Sequence, residues 1–171
     1  MAHYFITGAS SGIGAALAVQ LTAAGHQVSA VARRQQRLAA LSEQLDAFHG
    51  YVADVGDAES LATAIDKAKA KSGTIDVAIL NAGIYQPQDG IKIDPQIYAN
   101  HMTINYIGVV NALAGLVPDM VREGEGHIAI VSSVAGWRGL PKSAAYGPTK
   151  AALISLAESL YFDLVPHGLK I

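Results

Sequence analysis

The sequence predicts an α/β protein: a doubly wound parallel sheet of about five to six strands with helices on both faces, forming one domain over residues 1–171. Three observations predict it. Strand-like and helix-like segments alternate along the whole chain. A glycine-rich turn, Thr7-Gly8-Ala9-Ser10-Ser11-Gly12-Ile13-Gly14, separates the first strand from the first helix. Two Gly/Pro-rich pieces, Gln86 to Asp94 and Gly136 to Ser143, follow the fourth and fifth strands. They fall at the carboxyl edge of the sheet, where such folds bind ligands.

Each element has its own warrant. His3 to Thr7 is a short apolar run ending at Gly8. From Ser11 to Ala24, Ile13, Leu17, Leu21 and Ala24 recur at helical spacing, and Gly25 stops the helix. Gln27 to Ala32 reads as a strand, and Gln35 to Leu45 as a helix with Leu38, Leu41 and Leu45 on one face. A strand over Phe48 to Val52 precedes a helix over Ala58 to Lys71. Val77 to Leu80 is a buried-type strand running into Asn81-Ala82-Gly83. A long helix is expected over Tyr98 to Val121, a fifth strand over His127 to Ser132, and a helix over Tyr146 to Val165. Leu169-Lys170-Ile171 reads as the opening of a sixth strand.

Composition narrows the function. The chain has 12 basic and 14 acidic residues, a formal charge of −2, and no cluster of Lys or Arg. That argues against a dedicated nucleic-acid binder. A hydrophobic share of 51% provides for a sizeable core. No run of 18 or more uncharged apolar residues stands out, so no membrane span is expected. The first residues lead straight into a strand without a signal-peptide pattern, and a cytoplasmic protein is the expectation. The absence of cysteine excludes disulfides and thiolate zinc sites. The histidines at 3, 26, 49, 101, 127 and 167 show no ligand spacing and read as surface or strand-end residues, so no metal is expected.

The glycine loop carries the first chemistry. A pyrophosphate needs backbone N–H groups at close range and a helix N-terminus aimed at it, and side chains would obstruct both. The position of Gly8, Gly12 and Gly14 between strand and helix therefore reads as a dinucleotide site. No Gly-Lys-Ser/Thr follows, which disfavours an NTPase. Where an NAD-binding protein carries a carboxylate for the ribose 2′-hydroxyl, this chain has Ala32 followed by Arg33 and Arg34. A guanidinium pairs with a 2′-phosphate, so NADP(H) is expected in preference to NAD(H), with Arg33 the stronger candidate.

Tyr146 and Lys150 stand four apart at a helix start and so share a face. A phenol alone is a poor acid or base near neutrality, and a neighbouring ammonium stabilises its phenolate. Ser133 ends the fifth strand and reaches the same crevice, while Asn105 is an interior helical Asn that needs a reason.

Taken together, Thr7-Gly8-x-x-x-Gly12-x-Gly14, Asn81-Ala82-Gly83, Asn105, Ser132-Ser133-x-x-Gly136 and Tyr146-x-x-x-Lys150 resemble the short-chain dehydrogenase/reductases over Tyr4 to about Ile171. The resemblance implies a Rossmann-type fold and NAD(P)-dependent chemistry at a carbonyl or alcohol carbon. By position it makes Tyr146 the general acid/base and gives Lys150 the nicotinamide ribose. It gives Ser133 the substrate oxygen and Asn105 a water of the proton relay. Gly8, Ser10, Ser11, Gly12, Ile13, Gly14, Asp54, Val55, Asn81, Ala82 and Gly83 join Arg33 and Arg34 around the cofactor, with Asp54 meeting the adenine.

The resemblance also implies a homodimer or homotetramer through the helices at about 98–121 and 146–165, with Gly108 and Gly115 admitting another backbone. Trp137, Arg138 and Tyr85 are candidates to line a pocket for a small carbonyl or alcohol substrate. Family members continue beyond this point with a Pro-Gly turn, a substrate loop and further strands. The expectation is therefore a C-terminally shortened chain with an unprotected fifth-strand edge and weak turnover. A non-catalytic NADP(H)-binding or interaction module is the rival reading. The intact Asn105, Ser133, Tyr146 and Lys150 favour the enzyme.

Overall fold

The computed structural model describes residues 1–171. Its strands are β1 (His3–Thr7), β2 (Gln27–Ala32), β3 (Phe48–Val52), β4 (Val77–Leu80), β5 (Gly126–Ile130) and β6 (Leu169–Lys170). Its helices are α1 (Gly12–Ala23), α2 (Gln35–Gln44), α3 (Ala58–Ser72), α4 (Pro95–Met102), α5 (Gly108–Glu123) and α6 (Gly147–Leu164). All six strands are parallel, in the order β3-β2-β1-β4-β5-β6. The order reverses between β1 and β4, and Thr7 pairs with Leu80 where both strands end. A crevice opens there at the carboxyl edge.

Alternation along each strand feeds two cores. Phe5, Val31, Ala78 and Leu80 face a cluster built with Leu61 and Ile65 of α3 and Ala112, Leu116 and Met120 of α5. Ile6, Val28, Ala30 and Ala32 face the other side, with Ala18 of α1 and Leu38 of α2. Both sheet faces are covered, which is why β2 reads as a nearly continuous apolar run.

Several boundaries differ from the expectations. The long helix begins at Pro95, because the Asp94 carboxylate accepts the Gln96 N–H at 2.9 Å and proline fits the first helical position. It ends at Glu123 against Gly124, whose φ of +74° closes it in the left-handed region. A π-helical turn, Thr103–Ile107, divides it into α4 and α5 and contains Asn105. The stretch Pro95–Glu123, with mean hydropathy 1.4, is long and apolar enough to cross a membrane by length and composition. It is nonetheless a core helix, with Ala112, Leu113, Leu116 and Met120 buried.

The edge of β5 is not wholly bare either: Leu169 and Lys170 of β6 pair with Gly126 and His127. Gly108 and Gly115 do not await another chain. A Cβ on Gly108 would lie 2.7 Å from the Val55 side chain, and one on Gly115 would lie 2.8 Å from that of Ile65, so both admit neighbours from within the chain. His101 is neither a surface nor a strand-end residue; it is fully buried in α4.

Candidate functional site

The glycine turn delivers α1 to the crevice with its N-terminus uncapped. Ser11 is extended at the N-cap, makes no side-chain cap bond, and the first turn carries no acidic residue. The orphan N–H groups and the positive end of the helix dipole are thus left for an anion. Gly8 sits at φ +75°, and a Cβ there would stand 2.8 Å from Ala82 Cα, so only glycine lets β1 and β4 turn this closely. Asn81 completes the junction: its backbone N–H donates to Thr7 Oγ1 at 3.0 Å and its amide to the Thr7 carbonyl at 3.1 Å.

A cleft of about 500 Å³ follows from this junction. Gly8, Ser10, Ser11, Ile13, Arg33, Arg34, Asp54, Val55, Asn81, Ala82 and Gly83 all line it. Ala32, the position open where a carboxylate would stand, lines it as well, as do Val31, Ala53, Ile84 and Ile104. Gly12 and Gly14 do not line it; a Cβ on Gly14 would press within 2.7 Å of the Gly8 carbonyl, so that glycine packs the helix on the turn.

The two arginines divide. Arg34 donates to Ser10 Oγ at 3.0 Å and to Ser11 Oγ at 2.5 Å, which holds its guanidinium against the anion cradle. Arg33 lies across the cleft, 3.7 Å from the Asp54 carboxylate, and both of those side chains are largely exposed. The other Asp54 oxygen accepts the Gly56 N–H at 2.9 Å.

A second cluster abuts the cleft at Gly83, where a Cβ would come within 3.7 Å of Lys150 Nζ and 3.3 Å of Asn105 Oδ1. Lys150 is 4% exposed, donates to the Val131 carbonyl at 2.7 Å, and stands 5.6 Å from the centre of the Tyr146 ring. Burial pushes its pKa below the ordinary lysine value. Tyr146 occupies the N-cap of α6, and the Tyr85 ring meets it edge-on at 5.1 Å between centroids. Ser133 Oγ accepts the Ala135 N–H at 3.2 Å, which leaves its own hydroxyl proton free to donate. Its neighbour Ser132 is tied instead to the Lys150 carbonyl at 2.9 Å.

Asn105 now has its reason. Its Oδ1 accepts the Ile84 N–H at 2.7 Å, and its amide donates to the Ile84 carbonyl at 3.0 Å and to Thr149 Oγ1 at 3.1 Å. Thr149 in turn donates to the Tyr146 carbonyl at 2.7 Å. The side chain therefore clasps the loop after β4 to the first turn of α6, and only acceptor capacity remains on its amide. Thr149 escaped the motifs, its one signal being its place next to Lys150. Trp137 and Arg138 are exposed on the loop after β5, bordering a separate hollow with Gln88 and Lys142.

The chain is similar to known proteins in sequence and in fold. Residues 2–171 match the family model described as short chain dehydrogenase. An uncharacterized oxidoreductase of Listeria innocua is 35% identical over 172 residues, which cover 97% of this chain and 68% of that protein. The solved short-chain dehydrogenase from Streptomyces avermitilis superposes with a TM-score of 0.93 at 31% identity, over 99% of this chain and 63% of that one. The structure of ElxO with NADP bound gives a TM-score of 0.93 at 27% identity, over 99% and 71%. The chain thus spans about two thirds of the length of these relatives.

Proposed function

The chain belongs to the short-chain dehydrogenase family, and on that premise we propose that it is an NADP(H)-dependent oxidoreductase acting on a small carbonyl compound or the corresponding alcohol. The observation that carries this reading is the buried Lys150 ammonium beside Tyr146 at the edge of an anion-ready cleft. A binding module has no use for a charge buried at that cost.

The cleft fits the cofactor by its own chemistry. The uncapped start of α1 suits a pyrophosphate, and the Arg34 guanidinium, drawn to Ser10 and Ser11, suits a 2′-phosphate with Arg33 opposite. That NADP is bound by a relative of the same fold agrees with this choice. Asp54 and Val55 would flank the adenine, and Asn81, Ala82, Gly83 and Lys150 would hold the nicotinamide half. When bound, the nicotinamide supplies the hydride in reduction and accepts it in oxidation.

The residues of the chain do the rest. The Ser133 hydroxyl donates to the substrate oxygen and polarises the carbonyl. Tyr146 gives its proton to that oxygen as the carbon receives hydride, so an alcohol and a phenolate result. The Lys150 charge stabilises that phenolate until water returns the proton. In the oxidative direction Tyr146 takes the proton back. We further propose assembly as a homodimer or homotetramer through the outer faces of the Pro95–Glu123 helix and α6, where Ile107, Tyr161 and Phe162 stand exposed. Loss of NADPH absorbance against a panel of aldehydes and ketones tests the activity; no turnover of any of them overturns it.

A further inference from the structure

We infer that His101 is a positioning residue, which fixes through Gln86 the loop that carries Tyr85 against Tyr146; its catalytic consequence rests on the function proposed above. The proposed mechanism employs no histidine, yet His101 is completely buried within α4. Its two ring nitrogens both have partners. Nδ1 lies 2.7 Å from the Ile97 carbonyl, an acceptor, so Nδ1 carries the proton. Nε2 then has a free lone pair, and it accepts the Gln86 N–H at 3.1 Å. The tautomer is fixed by its neighbours, since each ring nitrogen holds one of the two bonds.

The loop it holds is irregular and largely exposed between Gly83 and the start of α4. Asn105 secures the beginning of that loop at Ile84, and His101 secures it at Gln86. Tyr85 stands between these two anchors, half exposed, with its ring at 5.1 Å and 64° to Tyr146. A rigid backbone on either side of Tyr85 converts a solvent-facing ring into a fixed wall for the phenol of Tyr146. An apolar residue at position 101 would fill the core equally well, but it would leave the Gln86 N–H unpaired and that wall unsupported.

The test compares wild type, His101→Leu, His101→Gln and Tyr85→Leu by hydrogen exchange, NADPH affinity and steady-state kinetics. In His101→Leu, exchange over residues 84–88 rises on the order of tenfold, as expected for one lost hydrogen bond, with the rest of α4 protected as before. NADPH affinity stays at the wild-type value while kcat falls, and Tyr85→Leu shows the same split. His101→Gln, whose Oε1 can accept from Gln86, restores both exchange and kcat. Unchanged exchange over 84–88 in His101→Leu overturns the inference, as does failure of His101→Gln to restore it. If His101→Leu does not fold, His101→Gln and Tyr85→Leu decide by the same criteria. A locally loosened loop in a protein whose wild type turns over nothing overturns the enzymatic reading and leaves the anchoring role intact.

Discussion

Lys150 Nζ lies 5.6 Å from the centre of the Tyr146 ring while donating to the Val131 carbonyl, and no carboxylate pairs with it. An ammonium held this way costs the folded state something. Burial lowers its pKa from 10.5, so between the lowered value and 10.5 the unfolded chain binds more protons than the native one. Stability contributed by this group therefore rises with pH across that window, and the cost is fully present below it. Lys150→Met is expected to lower turnover by at least about 100-fold. Its thermal midpoint near neutrality should equal or exceed that of wild type, and the alkaline rise should vanish. A clearly lower midpoint measured by circular dichroism contradicts this expectation.

Arg34 and Arg33 make separable predictions. Arg34 is seated on the Ser10 and Ser11 hydroxyls, whereas Arg33 is engaged with Asp54. Arg34→Ala should weaken NADPH binding by about 10- to 100-fold, the worth of a charge-assisted contact, while NADH binding changes little. Arg33→Ala should do the same to a smaller degree. Fluorescence titration with both cofactors measures the ratio. An equal loss for NADH and NADPH refutes the 2′-phosphate assignment.

Gly136 brings the turn after β5 against α6. A Cβ there would lie 2.7 Å from the Lys150 carbonyl carbon and 2.9 Å from Ala151 N, both rigid backbone. Gly136→Ala should therefore cost about 1–3 kcal/mol by overpacking. Turnover should fall as well, because the displaced turn carries Ser133 and the displaced helix carries Lys150. A wild-type melting curve for this variant contradicts the packing described.

Much of this arrangement was legible in the sequence, and the reasons for the exceptions are physical. Apolar runs and helical spacing marked the elements, because a parallel sheet buried on both faces leaves its strands nearly continuously apolar. Asn105 stood out as a poor helix former, and it proved to sit in a π turn with its amide clasping Ile84 and Thr149. The direction of Gly108 and Gly115 was not legible. A small residue announces a close approach, but only the rotation of α5 decides that the visitors are Val55 and Ile65. The Arg34–Ser11 and Tyr85–Tyr146 contacts join residues far apart in the chain, and nothing local encodes such pairs. His101 was hidden because a buried histidine with both nitrogens satisfied occupies an apolar position in the helical pattern.

Asp119 and Lys69 set the pH range of the α3–α5 contact, bonded at 2.7 Å with each side chain about three-quarters covered. The Lys69 hydrogen bond holds the Asp119 carboxyl below its ordinary 3.8. That stabilisation is present above pH 3.8 and is lost as pH falls through the lowered native value. Burial pulls Lys69 down, but its bonds to Asp119 and Asp66 outweigh this and raise it above 10.5, so its share is lost only as pH rises through that raised value. Asp119→Asn should cost about 1 kcal/mol near neutrality and flatten the acid limb of stability. Urea midpoints across the acid range measure this, and parallel curves for wild type and variant contradict it.

The decisive substitution removes the Tyr146 hydroxyl alone. Tyr146→Phe keeps the ring against Tyr85 and leaves the cofactor cleft untouched. With the carbonyl compound that wild type reduces fastest, NADPH affinity should be unchanged and kcat lower by at least about 100-fold. If Tyr146→Phe consumes NADPH as fast as wild type, the proton comes from elsewhere, and Tyr146 is not the acid that the proposed reduction requires.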